Sequence, residues 1–243
     1  MKIDELSLQC GNDIPFPQAQ ITIHQPRLKE IGYIGEKNFH IGSHFLVFDK
    51  NHLSDKDKTR LADKSDFDIF MSAMNSSDKA EHKTNAIMVL ALLFPNYKIK
   101  IEHNQILLHL ENFSSSINKQ NFDNFKEILN QIFCLDILTE GEFDPSDALA
   151  AKIAEKIKKG REKRANNKDE NLINTSIYSK YISILSIGLQ KDKNILNEYT
   201  IYQLRDEFKR FQLKENYDTY VKAKLAGAQN LEEVKNWMDD LHS

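Results

Sequence analysis

Glycine, proline and cysteine are scarce in this chain. Its 243 residues include 8 Gly, 5 Pro and 2 Cys. The low glycine and proline content argues against a low-complexity or fibrous protein and favours helices. Cys10 and Cys134 lie far apart with no CxxC spacing, so the sequence predicts neither a disulfide framework nor a cysteine-based zinc site. A reducing compartment is the simplest setting for such a chain.

Long apolar runs are also missing. No stretch approaches the ~18 consecutive apolar residues that a membrane-spanning helix requires. The first ten residues, MKIDELSLQC, carry acids where a signal peptide has an apolar run. We therefore expect neither membrane insertion nor export by a signal peptide. The hydrophobic content of 40% nevertheless allows a sizeable core, in one large or two small domains.

Catalytic motifs are the third absence. The sequence has no GxSxG, GxxxxGK[ST] or GxGxxG pattern, and paired acids such as Asp66 and Asp68 fit helix-terminal or surface roles. His40 and His44 have the i, i+4 spacing of a zinc-binding helix, but no Glu lies between them and a third ligand would be distant. We expect a protein that is not an enzyme, with no catalytic, cofactor-binding or metal-ligating residue and no stoichiometric zinc.

Residues 1–112 are predicted to form an α+β domain. Alternating apolar residues predict four strands, at residues 2–9, 20–25, 97–102 and 105–111. The last two form a β-hairpin that turns at His103 and Asn104, and we expect it to pair with the N-terminal strands in a small antiparallel sheet. Helices are predicted on both sides of Gly35, after the capping residue Ser65, and over the apolar residues 85–94.

Residues 113–164 are predicted to form a helical segment that ends in a basic helix. Three serines at 114–116 are the best boundary before a clearly amphipathic helix at residues 122–133. Asp144 and Pro145 mark the start of the next helix, whose end has seven Lys or Arg against two Glu over residues 152–164. The basic patch consists of Lys156, Lys158, Lys159, Arg161, Lys163 and Arg164.

The basic patch has two interpretations. Lysine and arginine can neutralise the phosphates of a nucleic acid without regard to sequence. However, no aromatic residues interleave with the patch, the net charge of the chain is −3, and cations also stabilise a helix C-terminus. A solvated helix end or a contact with an acidic partner is therefore the preferred interpretation, over nucleic acid. Residues 165–170, ANNKDE, lack an apolar anchor and are predicted to be a linker.

Residues 171–243 are predicted to form a helical docking module, and we expect the N-terminal part to fold in a chain truncated after Gly188. Thr200 can cap a long helix while Gln203 reaches back to the amide of the capping residue. Gly227 suits the left-handed position after a helix end. Asn230, followed by apolar residues at helical spacing, predicts a short terminal helix. The whole chain is thus predicted to be α+β and predominantly α-helical, with a small antiparallel sheet or hairpin in the N-terminal half and a helical C-terminal half.

The long helix of this module offers two apolar stripes, because the stripe that ends at Phe211 resumes at Leu213 on a shifted face. The residues predicted to bind a partner are Phe208, Phe211, Tyr217, Tyr220, Leu225 and Trp237. Trp237 is the only tryptophan of the chain. It can be an anchor that holds the terminal helix to the domain, or a binding hot spot, since tryptophan is enriched in both roles.

Three segments of the chain resemble the tail assembly chaperones of tailed bacteriophages that infect AT-rich hosts. They are FPQAQITIHQPRLKEIGYIGEKNFHIGS, TIYQLRDEFKRF and YDTYVKAKLAGAQNLEEVKNWMDDLH. The residues that carry most of the resemblance are Tyr217, Tyr220, Ala223, Leu225, Ala226, Gly227 and Trp237.

The resemblance implies a function in virion assembly. Such a chaperone acts in the cytoplasm of the host bacterium, binds the tape-measure protein, recruits tail-tube subunits around it and is absent from the mature virion. Self-association is left open. Two alternatives remain: a structural tail or baseplate subunit of the virion, and a nucleic-acid-binding regulator.

Overall fold

The computed structural model describes residues 2–50, 59–76, 80–102, 104–135, 176–229 and 231–238. The helices of these ranges are α1 (Glu5–Gln9), α2 (Leu28–Ile34), α3 (Glu36–Leu46), α4 (Asp66–Asn75), α5 (Ala80–Leu93), α6 (Phe122–Phe133), α7 (Ile177–Gly188), α8 (Lys193–Asn197) and α9 (Ile201–Leu225). The strands are β1 (Ile14–Phe16), β2 (Ile21–Ile23), β3 (Lys98–Glu102), β4 (Gln105–Leu110) and β5 (Phe113–Ile117). The predicted fold class, mainly helical α+β with small antiparallel sheets, is confirmed.

The hairpin of β3 and β4 forms as predicted, but its partner is different. Glu102 pairs with Gln105, and Asn104 has a φ of 58°, the left-handed conformation that a tight hairpin requires. We expected this hairpin to pair with the N-terminal strands, and that prediction is wrong. Among the described residues, β1 pairs with β2 in a two-stranded sheet, and β4 pairs with both β3 and β5 in a separate three-stranded sheet.

Strand β5 contains the serines at 114–116, which were predicted to be a boundary. Leu110 pairs with Phe113 across a tight turn, so the serines are drawn into register beside β4. The strand ends at Ile117, which is completely buried. Ser115 Oγ donates a hydrogen bond to the carbonyl oxygen of Ala19, between the two sheets. These residues therefore belong to the sheet, since strand pairing outweighs the low β-propensity of serine.

The predicted strand at residues 2–9 is a helix instead. Asp4 Oδ2 accepts a hydrogen bond of 2.9 Å from the amide of Ser7, which caps the N-terminus of α1. Helix α1 buries Leu8 and leaves Leu6 exposed. Alternation of apolar residues over so short a segment fits either structure, and the aspartate cap favours the helix.

Other predicted local signals are confirmed. Helices α2 and α3 are separated at Gly35, whose φ is 84°. Ser65 caps α4 and forms a reciprocal capping box with Asp68. The hydrogen bond from Lys119, followed by that from Ser65, lowers the pKa of Asp68 to about 2, so this cap is ionised under ordinary conditions. Helix α5 buries Ala86, Val89, Leu90 and Leu93, as its apolar sequence predicts.

Aromatic rings join the elements into a core. The ring of Phe125 on α6 lies 6.1 Å from Phe16 on β1 and 6.2 Å from Phe94 after α5. The ring of Phe133, at the end of α6, meets Phe39 of α3 edge to face at 5.0 Å. These contacts tie the N-terminal strands, α3, α5 and α6 together.

The C-terminal half shares this core. Ile201 and Leu204 of α9 are buried within the same cluster, and Thr200 forms an isolated antiparallel bridge with Arg27. The amide of Leu28 donates to the carbonyl oxygen of Tyr199 at 2.9 Å. Truncation after Gly188 would uncover the core residues that pack against Ile201 and Leu204. That the N-terminal part folds without the later residues stays a prediction.

The predicted helix after Asp144, the basic patch and the linker at residues 165–170 lie outside the described residues. No helix of the described ranges combines the length and the apolar content that a membrane crossing needs.

Two glycines give a matched test of the packing of α3. A Cβ atom at Gly42 would lie 2.6 Å from the carbonyl carbon of Asn85 and 2.7 Å from Val89 Cγ2, so α3 and α5 would have to separate. A Cβ atom at Gly32 of α2 would meet nothing within 4 Å. We expect Gly42→Ala to lower the free energy of unfolding by about 1–3 kcal/mol. Gly32→Ala, which improves helix propensity, should leave it unchanged or raise it by up to ~1 kcal/mol. Denaturant unfolding followed by circular dichroism measures both, and equal effects would contradict the packing.

Candidate docking surface on helix α9

Helix α9 begins as the sequence predicts. The amide of Gln203 donates to Thr200 Oγ1 at 3.3 Å, and Gln203 Oε1 accepts from the amide of Thr200 at 2.8 Å. This capping box satisfies two amides that would otherwise lack a partner at the helix start. Gln203 Nε2 also donates to the carbonyl oxygen of Gln9 at 2.6 Å, so the start of α9 is fixed against the end of α1.

The first apolar stripe of α9 faces the body of the protein. Beyond the buried Ile201 and Leu204, the ring of Phe208 stacks on Tyr181 of α7, with centroids 3.9 Å apart and an angle of 15° between the planes. Phe211 packs against Gly188, where a Cβ atom would come within 2.5 Å of Phe211 Cε2. Phe208 and Phe211, two of the predicted partner-binding residues, are thus engaged within the chain.

The second stripe lies on the other side of the helix. At 100° per residue, its centre is roughly 150° around the axis from the centre of the first stripe. Its members are Leu213, Tyr217, Tyr220, Val221 and Leu225, of which the first four are half-buried and Leu225 is 83% exposed. The structure brings three predicted partner-binding residues, Tyr217, Tyr220 and Leu225, onto this stripe.

The chain reverses direction after α9. Gly227 has a φ of 86°, its amide donates to the carbonyl oxygen of Lys224, and the amide of Ala228 donates to that of Ala223, both at 3.1 Å. These two bonds are the Schellman arrangement, so the predicted helix end at Gly227 is confirmed.

Residues 231–238, the C-terminal strap, run back along α9. Arg210 Nη1 donates to the carbonyl oxygen of Trp237 at 2.7 Å. The hydrogen bond to Tyr220 raises the pKa of Lys224, and the carboxylate of Glu233 on the strap adds to this effect. Positions 210 and 224 are only about 40° apart around the helix, on either side of the centre of the second stripe. The strap therefore returns along α9 as far as Arg210, where Trp237 also shares a pocket with Phe211 and Lys214.

The sequence predicted a short terminal helix after Asn230, and this prediction is wrong for the residues of the strap. Residues 231–236 have no regular secondary structure, and a turn follows in which the amide of Met238 donates to Asn236 Oδ1 at 3.0 Å. A side chain that binds the backbone amide two residues ahead competes with helix formation. The contact with Arg210 stabilises the same irregular path. Asn230 and residues 239–243 lie outside the described residues.

A pocket of about 380 Å³ opens between the strap and α9. Its walls are Gln9, Leu189, Tyr199, Gln203, Asp206, Glu207, Arg210, Phe211, Lys214 and Trp237. Glu207 is held at the wall by Lys191, 2.6 Å away, and by the hydroxyl of Tyr199 at 3.1 Å. A hydrogen bond to Asp218 raises the pKa of Lys214, which keeps this amine charged. The pocket thus combines three aromatic residues, Tyr199, Phe211 and Trp237, with charged residues that include Glu207 and Lys214.

A smaller pocket of about 240 Å³ lies on the α7 side of α9, between Tyr181, Phe208 and the buried Cys134. Tyr202 also lines it, and burial raises the pKa of this tyrosine to about 12. Its phenol therefore stays protonated at neutral pH. The residues of this pocket are suited to packing and hydrogen bonding.

The histidine pair lies elsewhere, on α3. The rings of His40 and His44 stack with centroids 6.4 Å apart, and His40 packs 5.4 Å from the ring of Tyr178. Burial, followed by the charge of His40, lowers the pKa of His44, although its side chain remains solvent-accessible. Within the described ranges, no three His, Cys, Asp or Glu side chains are grouped to hold a metal ion.

Sequence reasoning missed the charged residues that shape the docking surface. Asp206, Glu207 and Arg210 look like an ordinary solvated helix face in the sequence. The sequence predicted only that the helix ends at Gly227. It does not indicate which path the chain takes after that residue. The backbone carbonyl of Trp237 accepts a hydrogen bond from Arg210, and the half-buried Trp237 lines the pocket beside α9.

The half-burial of Trp237 sets the size of its contribution to stability. A fully buried aromatic side chain contributes ~3–5 kcal/mol relative to alanine. Because Trp237 borders an open pocket, we expect Trp237→Ala to lower the free energy of unfolding by less than ~2 kcal/mol. Denaturant unfolding followed by far-ultraviolet circular dichroism measures the change. A loss as large as that of a core aromatic residue would mean that the strap is an integral part of the core.

Comparison with known proteins gives one partial match. Residues 179–242 match the family model of the YomV second domain, from the first turn of α7 through the strap. No curated protein and no solved structure matches the chain. YomV is a phage-derived family, so the match supports a phage origin for this protein.

Proposed function

We propose that this protein is a phage tail assembly chaperone. In this proposal it binds the tape-measure protein through the second stripe of α9, recruits tail-tube subunits during virion morphogenesis, acts in the cytoplasm of the host and is absent from the mature virion. The match to the YomV second domain supports the coarser statement that the chain is a phage protein. The resemblance of the sequence to tail assembly chaperones supports the finer one.

One observation is the main support for the proposal. One face of α9 is buried in the core, and the second apolar stripe lies on the other side of the helix. The helix is 25 residues, or about 37 Å, long. Its first turns bury Ile201 and Leu204, while Leu225 at its far end is 83% exposed. A rigid helix that carries aromatic and aliphatic residues on such a face can pair with an amphipathic helix of a partner. A tape-measure protein with long helices is a partner of this kind.

The proposed role is binding and not catalysis. The side chains that α9 presents, including Tyr217, Tyr220 and Leu225, are types that contribute contact area and hydrogen bonds at interfaces. The charges near them are paired with each other, as in the bond of 2.8 Å between Lys214 and Asp218. Paired surface charges give specificity and allow release, which a chaperone needs when the tail tube polymerises.

Two substitutions on α9 test the docking role. Leu225→Glu places a charge on the second stripe, and Thr219→Glu places the same charge on the opposite, exposed side of the same helix. Both positions are exposed, so circular dichroism should show an unchanged fold. We expect Leu225→Glu to weaken binding to the purified tape-measure protein about tenfold, or 1.4 kcal/mol, and Thr219→Glu to change it less than about twofold. Titration calorimetry or co-purification measures the difference. Equal effects of the two variants would argue against docking through this stripe.

A second experiment separates the chaperone from a structural subunit. Mass spectrometry of purified virions should detect the tail-tube and tape-measure proteins but not this chain. Its presence in stoichiometric amounts would identify it as a tail or baseplate component instead.

A further inference from the structure

Strand β3 forms one edge of the three-stranded sheet. It pairs with β4 on one side, and no described residue of the chain pairs with its other side. Its sequence, KIKIE, alternates strictly. Lys98, Lys100 and Glu102 are exposed, whereas Ile99 and Ile101 are half-buried against the core. The opposite edge of the sheet, β5, is tied to the segment between β1 and β2 by a side-chain hydrogen bond. The outer side of β3 is thus an edge to which another strand can be added.

The geometry of the hairpin determines which backbone groups of β3 point outwards. Glu102 pairs with Gln105 across a two-residue loop, and such a loop is closed by a pair that exchanges backbone hydrogen bonds. Hydrogen-bonded and non-hydrogen-bonded pairs alternate along an antiparallel ladder. The N–H and C=O groups of Lys100 therefore point towards β4, and those of Ile99 and Ile101 point away from it. An added strand binds to the backbone of these two isoleucines.

We propose that β3 of a second copy of this chain pairs antiparallel with this edge, about a two-fold axis at Ile101. Two-fold symmetry is the commonest arrangement of homodimers. In this register Ile101 lies opposite Ile101 of the second copy, and Lys100 of each copy lies opposite Glu102 of the other. The isoleucines exchange backbone hydrogen bonds, while the lysine and the glutamate form a non-hydrogen-bonded pair, in which facing side chains lie closest. Such a dimer can form whether or not the protein is a chaperone.

Charge selects this register from its neighbours. The exposed and the half-buried faces of the two strands match only if the register changes in steps of two residues. One step in one direction places Lys100 opposite its own copy, and one step in the other direction places Glu102 opposite its own copy. Like charges directly opposite each other destabilise a strand pair, and opposite charges stabilise it. Of these three registers, the one centred on Ile101 pairs only unlike charges at these two positions.

The lysines on β3 do not exclude this partner. Lysine on an edge strand usually discourages pairing with other chains, because most strands offer it no acid. Here Glu102 supplies the acid, two positions after Lys100. Glu102 also has an interaction within its own chain, and the pairing does not require that contact to break. A carboxylate has two oxygens that together accept about four hydrogen bonds.

The contact is short, with five residues in each β3 strand. Its ion pairs are exposed, and exposed pairs contribute little individually and weaken as salt rises. We therefore expect an equilibrium between monomer and dimer that depends on protein concentration and on ionic strength.

An exchange of charges in the full-length protein tests the register. Lys100→Glu and Glu102→Lys each place like charges opposite one another twice, because the two-fold axis repeats the pair. We expect either variant to weaken dimerisation about tenfold or more. The double variant restores both ion pairs with their signs exchanged and should return to within about threefold of wild type. Sedimentation velocity over a range of protein concentrations measures the association. Circular dichroism should show an unchanged fold, since both positions are exposed.

Lys98→Glu is the matched control for Lys100→Glu. It makes the same change of charge two positions earlier on the same exposed face. In the proposed register Lys98 lies opposite Asn104, which is neutral, so dimerisation should change less than about threefold. If Lys98→Glu disrupts the dimer and the double variant does not restore it, the strands pair in another register and the proposal is wrong. A wild-type chain that stays monomeric at every concentration would also overturn it.

Amide hydrogen exchange gives an independent readout at the backbone. The amide of Ile101 points away from β4 and becomes hydrogen-bonded only in the dimer. Nuclear magnetic resonance of the wild-type protein should therefore show it to exchange about fivefold or more slowly at a concentration where the dimer dominates than where the monomer does. The amide of Lys100 is bonded to β4 in both states, so its exchange rate should not change. Equal rates for Ile101 at both concentrations would show that the copies associate through a different surface, which overturns the pairing.

Discussion

The burial of Ile201 and Leu204 beneath the N-terminal elements is the constraint on which the C-terminal half depends. These residues fix the first two turns of α9, and the side chain of Gln203, bonded to the backbone of Gln9, fixes the rotation of the helix about its axis. A helix is stiff along its length, so its orientation beyond the core follows from its root. The positions of Tyr217 and Leu225 relative to the body are therefore set by contacts about 13 to 24 residues earlier in the chain.

A second contact fixes the position of α7, the helix against which α9 packs. The carboxylate of Glu36, at the start of α3, accepts hydrogen bonds from the amides of Ile177 and Tyr178 at 2.9 and 3.3 Å and from the hydroxyl of Ser176. A carboxylate at a helix N-terminus satisfies otherwise unpaired amides and interacts favourably with the helix dipole. This cap connects positions 140 residues apart in sequence. It holds α7 where Tyr181 and Gly188 can meet Phe208 and Phe211.

Local signals in the sequence were sufficient for most element starts and ends. Thr200 with Gln203, Ser65, Gly35 and Gly227 each act through backbone groups within a few residues, and the structure contains the caps and breaks that they predict. Pairings between distant segments could not be predicted in the same way. A short alternating run has no information about its partner strand, which is why the predicted strand at residues 20–25, which contains β2, was assigned to the wrong sheet. The hydrogen bonds that Glu36 accepts from the start of α7 could not be predicted either, because nothing in the sequence distinguishes this glutamate from the other acidic residues.

The candidate docking surface shows the same difference between local patterns, which the sequence predicts, and contacts between distant residues, which it does not. Helical periodicity separates the two stripes of α9, because it depends only on the spacing of apolar residues along one helix. It cannot tell that Phe208 and Phe211 meet α7, or that Arg210 binds the carbonyl oxygen of Trp237. Trp237 is the sharpest case. An aromatic residue that anchors a terminal segment and one that anchors a partner need the same bulk and the same partial removal from water, so composition and spacing cannot distinguish them. Only the folded chain shows that the carbonyl oxygen of Trp237 accepts a hydrogen bond from Arg210 and that its side chain lines a pocket beside Phe211. Both contacts depend on the path of the chain after Gly227, and no local pattern in the sequence specifies that path.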